Sequence, residues 1–140
     1  MTTTDEIAAG IRDGYARGGL VGAFEFQGTM MADTVEVRHV PAQPTDGMRE
    51  GHVQATFGVE SMSALQAAIP DLSHQAEVST TGDEIRFTMI LTGTVGDGGR
   101  LNHTFVNCLT VKDGNIVTLV FHSPPGGDQL LMKALGIEQA

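Results

Sequence analysis

The segment Asn102–Ser123, NHTFVNCLTVKDGNIVTLVFHS, constrains the fold more than any other part of the chain, because it reads as two long antiparallel strands joined at Lys112-Asp113-Gly114-Asn115. On the first strand His103, Phe105, Asn107, Leu109 and Val111 share one face, and Asn102, Thr104, Val106, Cys108 and Thr110 share the other. A histidine and an asparagine therefore keep company with Phe105 and Leu109. If that face closes a core, two polar groups on it need partners, as in a small-molecule pocket.

The rest of the chain supplies what this hairpin would pack against. Thr4 or Asp5 is placed to cap a first helix whose Ile7, Ile11 and Tyr15 fall on one stripe, and Gly18-Gly19 ends it. Leu20 to about Met31 reads as a second short helix, giving a helical hairpin ahead of a strand. In that strand, Thr34–Val40, the residues Val35, Val37 and His39 alternate with Glu36 and Arg38. A turn-rich connection, Pro41 to Gly47, leads to Met48–Ile69, which reads as helical with a glycine break near Gly58 and a stop at Pro70-Asp71. Four strands follow as a meander: Ser73–Ser79, Glu84–Gly93, Leu101–Val111 and Asn115–Ser123. Helices first and strands second predict an α+β domain in which a curved antiparallel sheet packs over N-terminal helices. The tail, Gly126–Ala140, presents Leu130, Leu131, Leu135 and Ile137 as one side of a short helix that covers a pocket mouth or a partner subunit, or else as a partly ordered terminus.

Composition narrows the partners. The 140 residues suit one domain, with a core over about residues 5–123 and a tail over 124–140. A net charge of -9 with only eight Lys and Arg argues against nucleic acid and against anionic membranes. Cys108 has no disulfide partner in the chain and reads as a small buried hydrophobe. MTTTDEIAAG lacks the basic start and apolar run of a signal peptide, and no stretch has the length of a membrane span, so a cytoplasmic protein is expected. His39, His52, His74, His103 and His122 show no close ligand spacing, no glycine cluster has phosphate-loop spacing, and Ser61 and Ser63 lack a nucleophile-elbow context. Neither metal nor cofactor is expected.

The order of parts, with ADTVEVRHVPAQPTDG, a helix containing Phe57, Ala-Ile-Pro-Asp before the sheet, and VKDGNIVTLVFHS, resembles the nuclear transport factor 2-like superfamily, and within it the SnoaL-like domains. The resemblance spans roughly Asp5 to Ser123. It implies a cone of sheet and helices (the cystatin-like shape) with an apolar ligand at its open end, and a homodimer formed through the sheet. It places Ile11, Tyr15, Val37, His39, Phe57, Phe105, Asn107, Leu119 and Phe121 on the pocket wall. Laid on the ketosteroid isomerases of this fold, the catalytic base falls near Val37, the neutral aspartic acid near Asn107 and the tyrosine near Ile11, which removes the steroid isomerase set. The SnoaL-like polyketide cyclases use an acidic residue and a histidine on the last two strands; His103 matches the histidine, whereas His122-Ser123-Pro124 stands where the aspartate is expected. The Asp-Arg-Asp set of limonene-epoxide-hydrolase relatives is absent from the expected inward faces.

Two functions of different class follow. In the first, a cofactor-independent cyclase, isomerase or dehydratase acts on an apolar carbonyl compound, with His39 or His103 moving a proton and Asn107 or Tyr15 steadying the oxygen. The second is a non-catalytic binding or interaction module using the same cone. His122 has the opposite parity to Leu119 and Phe121 and joins the ligand-binding set only if a bulge turns it inward. Tyr15 is equally readable as a core aromatic whose hydroxyl reaches a backbone carbonyl.

Overall fold

The structure is a computed structural model that describes residues 2–96 and 99–135. Its first element, α1 (Thr4–Thr29), is two helices in one, reversing at Gly19, whose φ of 63° and ψ of -145° lie outside the helical region. The N-cap is Thr3, one residue before the expected Thr4 or Asp5. Only Thr3 has Glu6 three positions on, and the two close a reciprocal box, each side chain accepting from the other's backbone N–H at 3.1 Å. The two arms of the hairpin touch through glycines. A Cβ on Gly22 would stand 2.2 Å from the carbonyl oxygen of Gly14, so the backbones meet with nothing between them.

The remaining order is β1 (Met31–Val40), β2 (Gly47–Glu50), α2 (Gly51–Ala68), β3 (Ser73–Thr81), β4 (Glu84–Val95), β5 (Gly99–Lys112), β6 (Asn115–His122) and α3 (Gly127–Ala134). Together they form the expected α+β architecture, a six-stranded curved sheet in the order β2-β1-β6-β5-β4-β3 with the helices packed on it. The meander of the last four strands is as expected, and Asp113 and Gly114 both take positive φ at the β5–β6 turn, as a two-residue hairpin requires. The sheet is mixed, however: β1 runs parallel to β6 while the other pairings are antiparallel.

Two helical expectations are corrected. Gly47–Glu50 is a short strand beside β1, so the second helix begins at Gly51 and not at Met48. Nor does Gly58 break that helix: the Phe24 ring packs against it, and a Cβ there would lie 3.1 Å from the ring, so the glycine makes room for a neighbour. Of the two alternatives for the tail, Gly127–Ala134 takes the helical one as α3, with Leu130, Leu131 and Leu135 against the core; Ile137 lies outside the described residues.

The core fills the space between helices and sheet. Ile7, Ile11, Leu20, Leu65, Phe87, Leu109 and Leu119 are all essentially inaccessible, and along β4 and β5 the inward residues are those that strict alternation assigns. Strand β6 departs from alternation. Ile116 and Leu119 are both buried although three residues apart, because the β5–β6 pairing shifts between Val111↔Ile116 and Thr110↔Thr118, leaving Val117 as a bulge. No helix among the described residues is long and apolar enough to cross a membrane. Gly22→Ala should force the hairpin arms apart and lower stability by about 1–3 kcal/mol, as overpacking does. Urea unfolding should show a lower midpoint at unchanged slope.

Candidate active site in the cone

The sheet and helices enclose a cavity of about 200 Å³ between the concave face, α2 and α3. Its wall is mostly apolar: Phe24, Met31, Leu65, Met89, Phe105 and Leu119 contribute, and Leu131, Met132 and Leu135 reach it from α3. The polar groups on it come from six elements, α1, β1, β2, α2, β5 and β6, and the parallel β1–β6 pairing aligns those on the sheet. His39 on β1 pairs with Phe121 on β6, which pairs with Asn107 on β5, which faces Phe87 on β4. His39 and Asn107 therefore stand two strand spacings apart, about 10 Å between backbones. Phe121 lies between them, its ring 5.3 Å from that of His39.

His39 is oriented by a carboxylate. Its Nδ1 lies 2.6 Å from Asp46 Oδ1, while Asp46 Oδ2 accepts from the His39 backbone N–H at 3.1 Å and the Gln43 N–H at 3.2 Å. These bonds, the imidazole first among them, hold the Asp46 carboxyl down at about 2, so it is ionised and can only accept. An ionised Asp46 oxygen requires a proton on Nδ1, so in the neutral imidazole the lone pair is on Nε2.

Three buried polar side chains share the cavity wall. Gln27 is fully buried, and neither its amide oxygen nor its nitrogen has a hydrogen-bond partner; Asn107 is 3 % exposed, and its Nδ2 likewise has none. Leaving such groups unpaired costs about 1–3 kcal/mol each, and both are placed where a ligand would satisfy them. The third, Gln54, is engaged: its Oε1 accepts from Arg49 Nη1 at 3.2 Å, and Arg49 Nη2 donates to the Thr45 carbonyl at 2.6 Å.

Of the residues expected at the site, Val37, His39, Phe57, Phe105, Asn107, Leu119, Phe121 and His122 line the cavity. Phe57 is 56 % exposed and forms its lip. His122 is on the cavity lining although its parity is opposite to that of Leu119 and Phe121, and not through the bulge expected to turn it inward: the bulge at Val117 precedes Leu119 and leaves their relative parity unchanged. Three residues lie elsewhere. Ile11 is fully buried in the core and does not line the cavity. Tyr15 packs edge-on to His74, its hydroxyl 2.7 Å from His74 Nδ1 and donating to the His74 carbonyl at 3.2 Å, which is the core-aromatic role. His103 is on the inward face but beyond the cavity, its Nδ1 accepting the Asn102 N–H at 3.1 Å. Cys108 is buried, and burial raises its thiol pKa.

Sequence reasoning missed Gln27, Asp46, Arg49 and Gln54. Gln27 had a signal: it continues the buried stripe Leu20, Ala23, Phe24 at helical spacing, and a glutamine there stands out. Asp46 had none, because its carboxylate folds back from a turn onto a strand it is not adjacent to in pattern. Among the described residues no group of three or more His, Cys, Asp or Glu is placed to hold a metal.

This architecture, a curved mixed sheet wrapped over N-terminal helices with a cavity at its open end, is the nuclear transport factor 2-like, or cystatin-like, fold. The chain is similar in structure to an NTF2-like protein from Burkholderia thailandensis, with a TM-score of 0.64 and 16% identity over 96% of this chain and 98% of that one. It is also similar to a polyketide cyclase candidate from Acidithiobacillus ferrooxidans, with a TM-score of 0.60 and 17% identity over 91% and 96% of the two chains. A SnoaL-like polyketide cyclase candidate from Mesorhizobium loti gives a TM-score of 0.58 and 22% identity over 86% and 98%. No protein-family model matches the sequence, and no curated protein matches it significantly.

The Asp46 clasp gives a pH-dependent signature. A carboxyl depressed from its ordinary 3.8 to about 2 contributes stability that is complete above the unfolded value and is lost as pH falls through about 2. Asp46→Asn should therefore lower Tm at neutral pH, and the gap to the parent protein should close in a thermal-melt series taken down through that range.

Proposed function

We infer that the cone is a small-molecule site for proton transfer on an apolar carbonyl compound, of the SnoaL-like kind. The observation that carries this reading is the pairing of an Asp46-oriented His39 with an unpartnered Asn107 amide on the wall of one cavity. His39 Nε2 removes a proton from the carbon beside the carbonyl. The C–H electron pair moves into an enolate whose oxygen takes the Asn107 Nδ2–H, a neutral donor that needs no pKa tuning. Asp46 steadies the resulting imidazolium, which returns the proton to carbon or oxygen, so that no cofactor is consumed. His103 does not share in this chemistry, because the cavity does not reach it. The polyketide cyclase candidates among the structural neighbours support the same class of substrate.

A volume of about 200 Å³ lies below the usual range for drug-sized ligands and suits a one- or two-ring compound. We therefore expect the protein to speed α-proton exchange of 1-indanone in D2O, followed by NMR. His39→Ala should reduce the exchange by about 100-fold or more, and Asn107→Leu by a smaller factor, both with cooperative folding retained. Exchange no faster than buffer, in a protein that still binds indanone, would favour the non-catalytic binding module. Exchange insensitive to His39 would remove it as the base.

The protein is further proposed to be a cytoplasmic homodimer joined through the outer sheet face, where Ile90 is 38 % exposed and Val106 and Val120 are half-buried. Sedimentation velocity at micromolar concentration should give a dimer, and Ile90→Lys should shift it to monomer; a monomeric parent protein would end this proposal.

A further inference from the structure

Arg49 is the one permanent cation among the described residues that line the cavity, and no Asp or Glu lines it. This contrasts with the chain as a whole, whose net charge is -9. The guanidinium is held by neutral acceptors alone, the Thr45 carbonyl and Gln54 Oε1, and no carboxylate lies within salt-bridge distance of it among the described residues. Gln54, itself 3 % exposed, fixes one edge of the guanidinium fork, so the group is positioned and not merely tethered. A guanidinium at the wall of a largely apolar cavity with no counter-charge is an incomplete ion pair. The planar group that completes such a fork is a carboxylate, which accepts two parallel N–H bonds.

We propose that the natural ligand is an anion: a one- or two-ring apolar compound bearing a carboxylate, whose body lies against Phe24, Met31 and Phe121 and whose charge is received by Arg49. This deepens the proton-transfer reading and rests on the same cavity. The buried amides complete the recognition. Gln27, with both donor and acceptor unpaired, and Asn107, with a donor unpaired, bind the neutral polar groups of the ligand, while Arg49 distinguishes acids from their neutral analogues. The acidic exterior adds selectivity in a kinetic sense: anions are repelled from the general surface and are bound where the local charge is reversed.

The test uses a matched pair of probes, 1-naphthoate and 1-naphthamide, which differ little in shape and are respectively charged and neutral at pH 7. Binding is measured by calorimetry at low salt. The parent protein should bind the acid at least about tenfold more tightly than the amide, the range that hydrogen bonds to a charged group give. Arg49→Gln should bring the acid down to the amide's affinity and leave the amide unchanged, and Arg49→Lys should restore part of the difference. Because the amide reports the intact cavity, loss of amide binding in Arg49→Gln would mark a folding defect, and Arg49→Lys with the parent comparison then decides. Equal affinity of the two probes for the parent protein would overturn the anionic ligand while leaving the small-molecule cavity standing. Failure of both probes to bind at millimolar concentration would overturn both.

Discussion

The site depends on the parallel pairing of the first strand with the last. In an all-antiparallel sheet β1 and β6 would run in opposite senses, and the C-terminal ends of the two strands would lie at opposite edges. Because they run together, His39 and Val40 end beside Phe121 and His122, and the chain leaves β6 at the same end as the histidine. The Ser123 N–H donating to the Val40 carbonyl at 3.0 Å extends this pairing past the last strand residue and sets where α3 can begin. One register thus aligns His39, Phe121 and Asn107 across three strands.

The polar groups divide into those that the protein has satisfied and those that it has not. At Asp46 both carboxylate oxygens accept hydrogen bonds, three in all, and the depressed carboxyl pKa records it. Asp71 is a second case, accepting from the Thr94 backbone and hydroxyl at 2.9 and 2.8 Å and thereby fastening the α2–β3 turn to β4. Gln27 and Asn107 are the opposite: buried amides facing a cavity with no protein partner. A core amide retained only for packing would be expected to find a carbonyl or hydroxyl within reach. These two do not, and that is what the proposed binding surface rests on.

Much of the architecture was legible in the sequence because it rests on short-range patterns. Strict alternation placed Phe105, Asn107 and Leu109 inward, Asp113-Gly114 fixed the hairpin, and Gly18-Gly19 marked the reversal between the two helix arms. What pattern could not show is what crosses between elements. The strand Gly47–Glu50 is four residues long and leads straight into a helix, so its periodicity is lost in that of its successor. The parallel sense of β1 against β6 leaves no mark on either strand. Asp46 reaches His39 from a turn, and Arg49 is placed by Gln54 on the first turns of α2; both are tertiary facts. Tyr15 and Ile11 were drawn to the pocket by analogy with related folds, whereas the tight hairpin of this chain directs Tyr15 onto His74.

The bulge at Val117 gives the cavity wall an unusual kind of inheritance. Most of that wall is specified by residue type, so a conservative replacement changes its shape by an atom or two. The contribution of β6 is specified by residue count. If the bulge closed with every residue kept, each following side chain would exchange sides, Val120 and His122 taking the places of Leu119 and Phe121 on the inward face, whereas loss of one residue between Ile116 and Leu119 would remove the bulge and leave them facing as they do. A single-codon deletion at the bulge would thus be absorbed with the inward set of β6 intact, and two sequences of this fold are comparable along this strand only when the extra residue is counted.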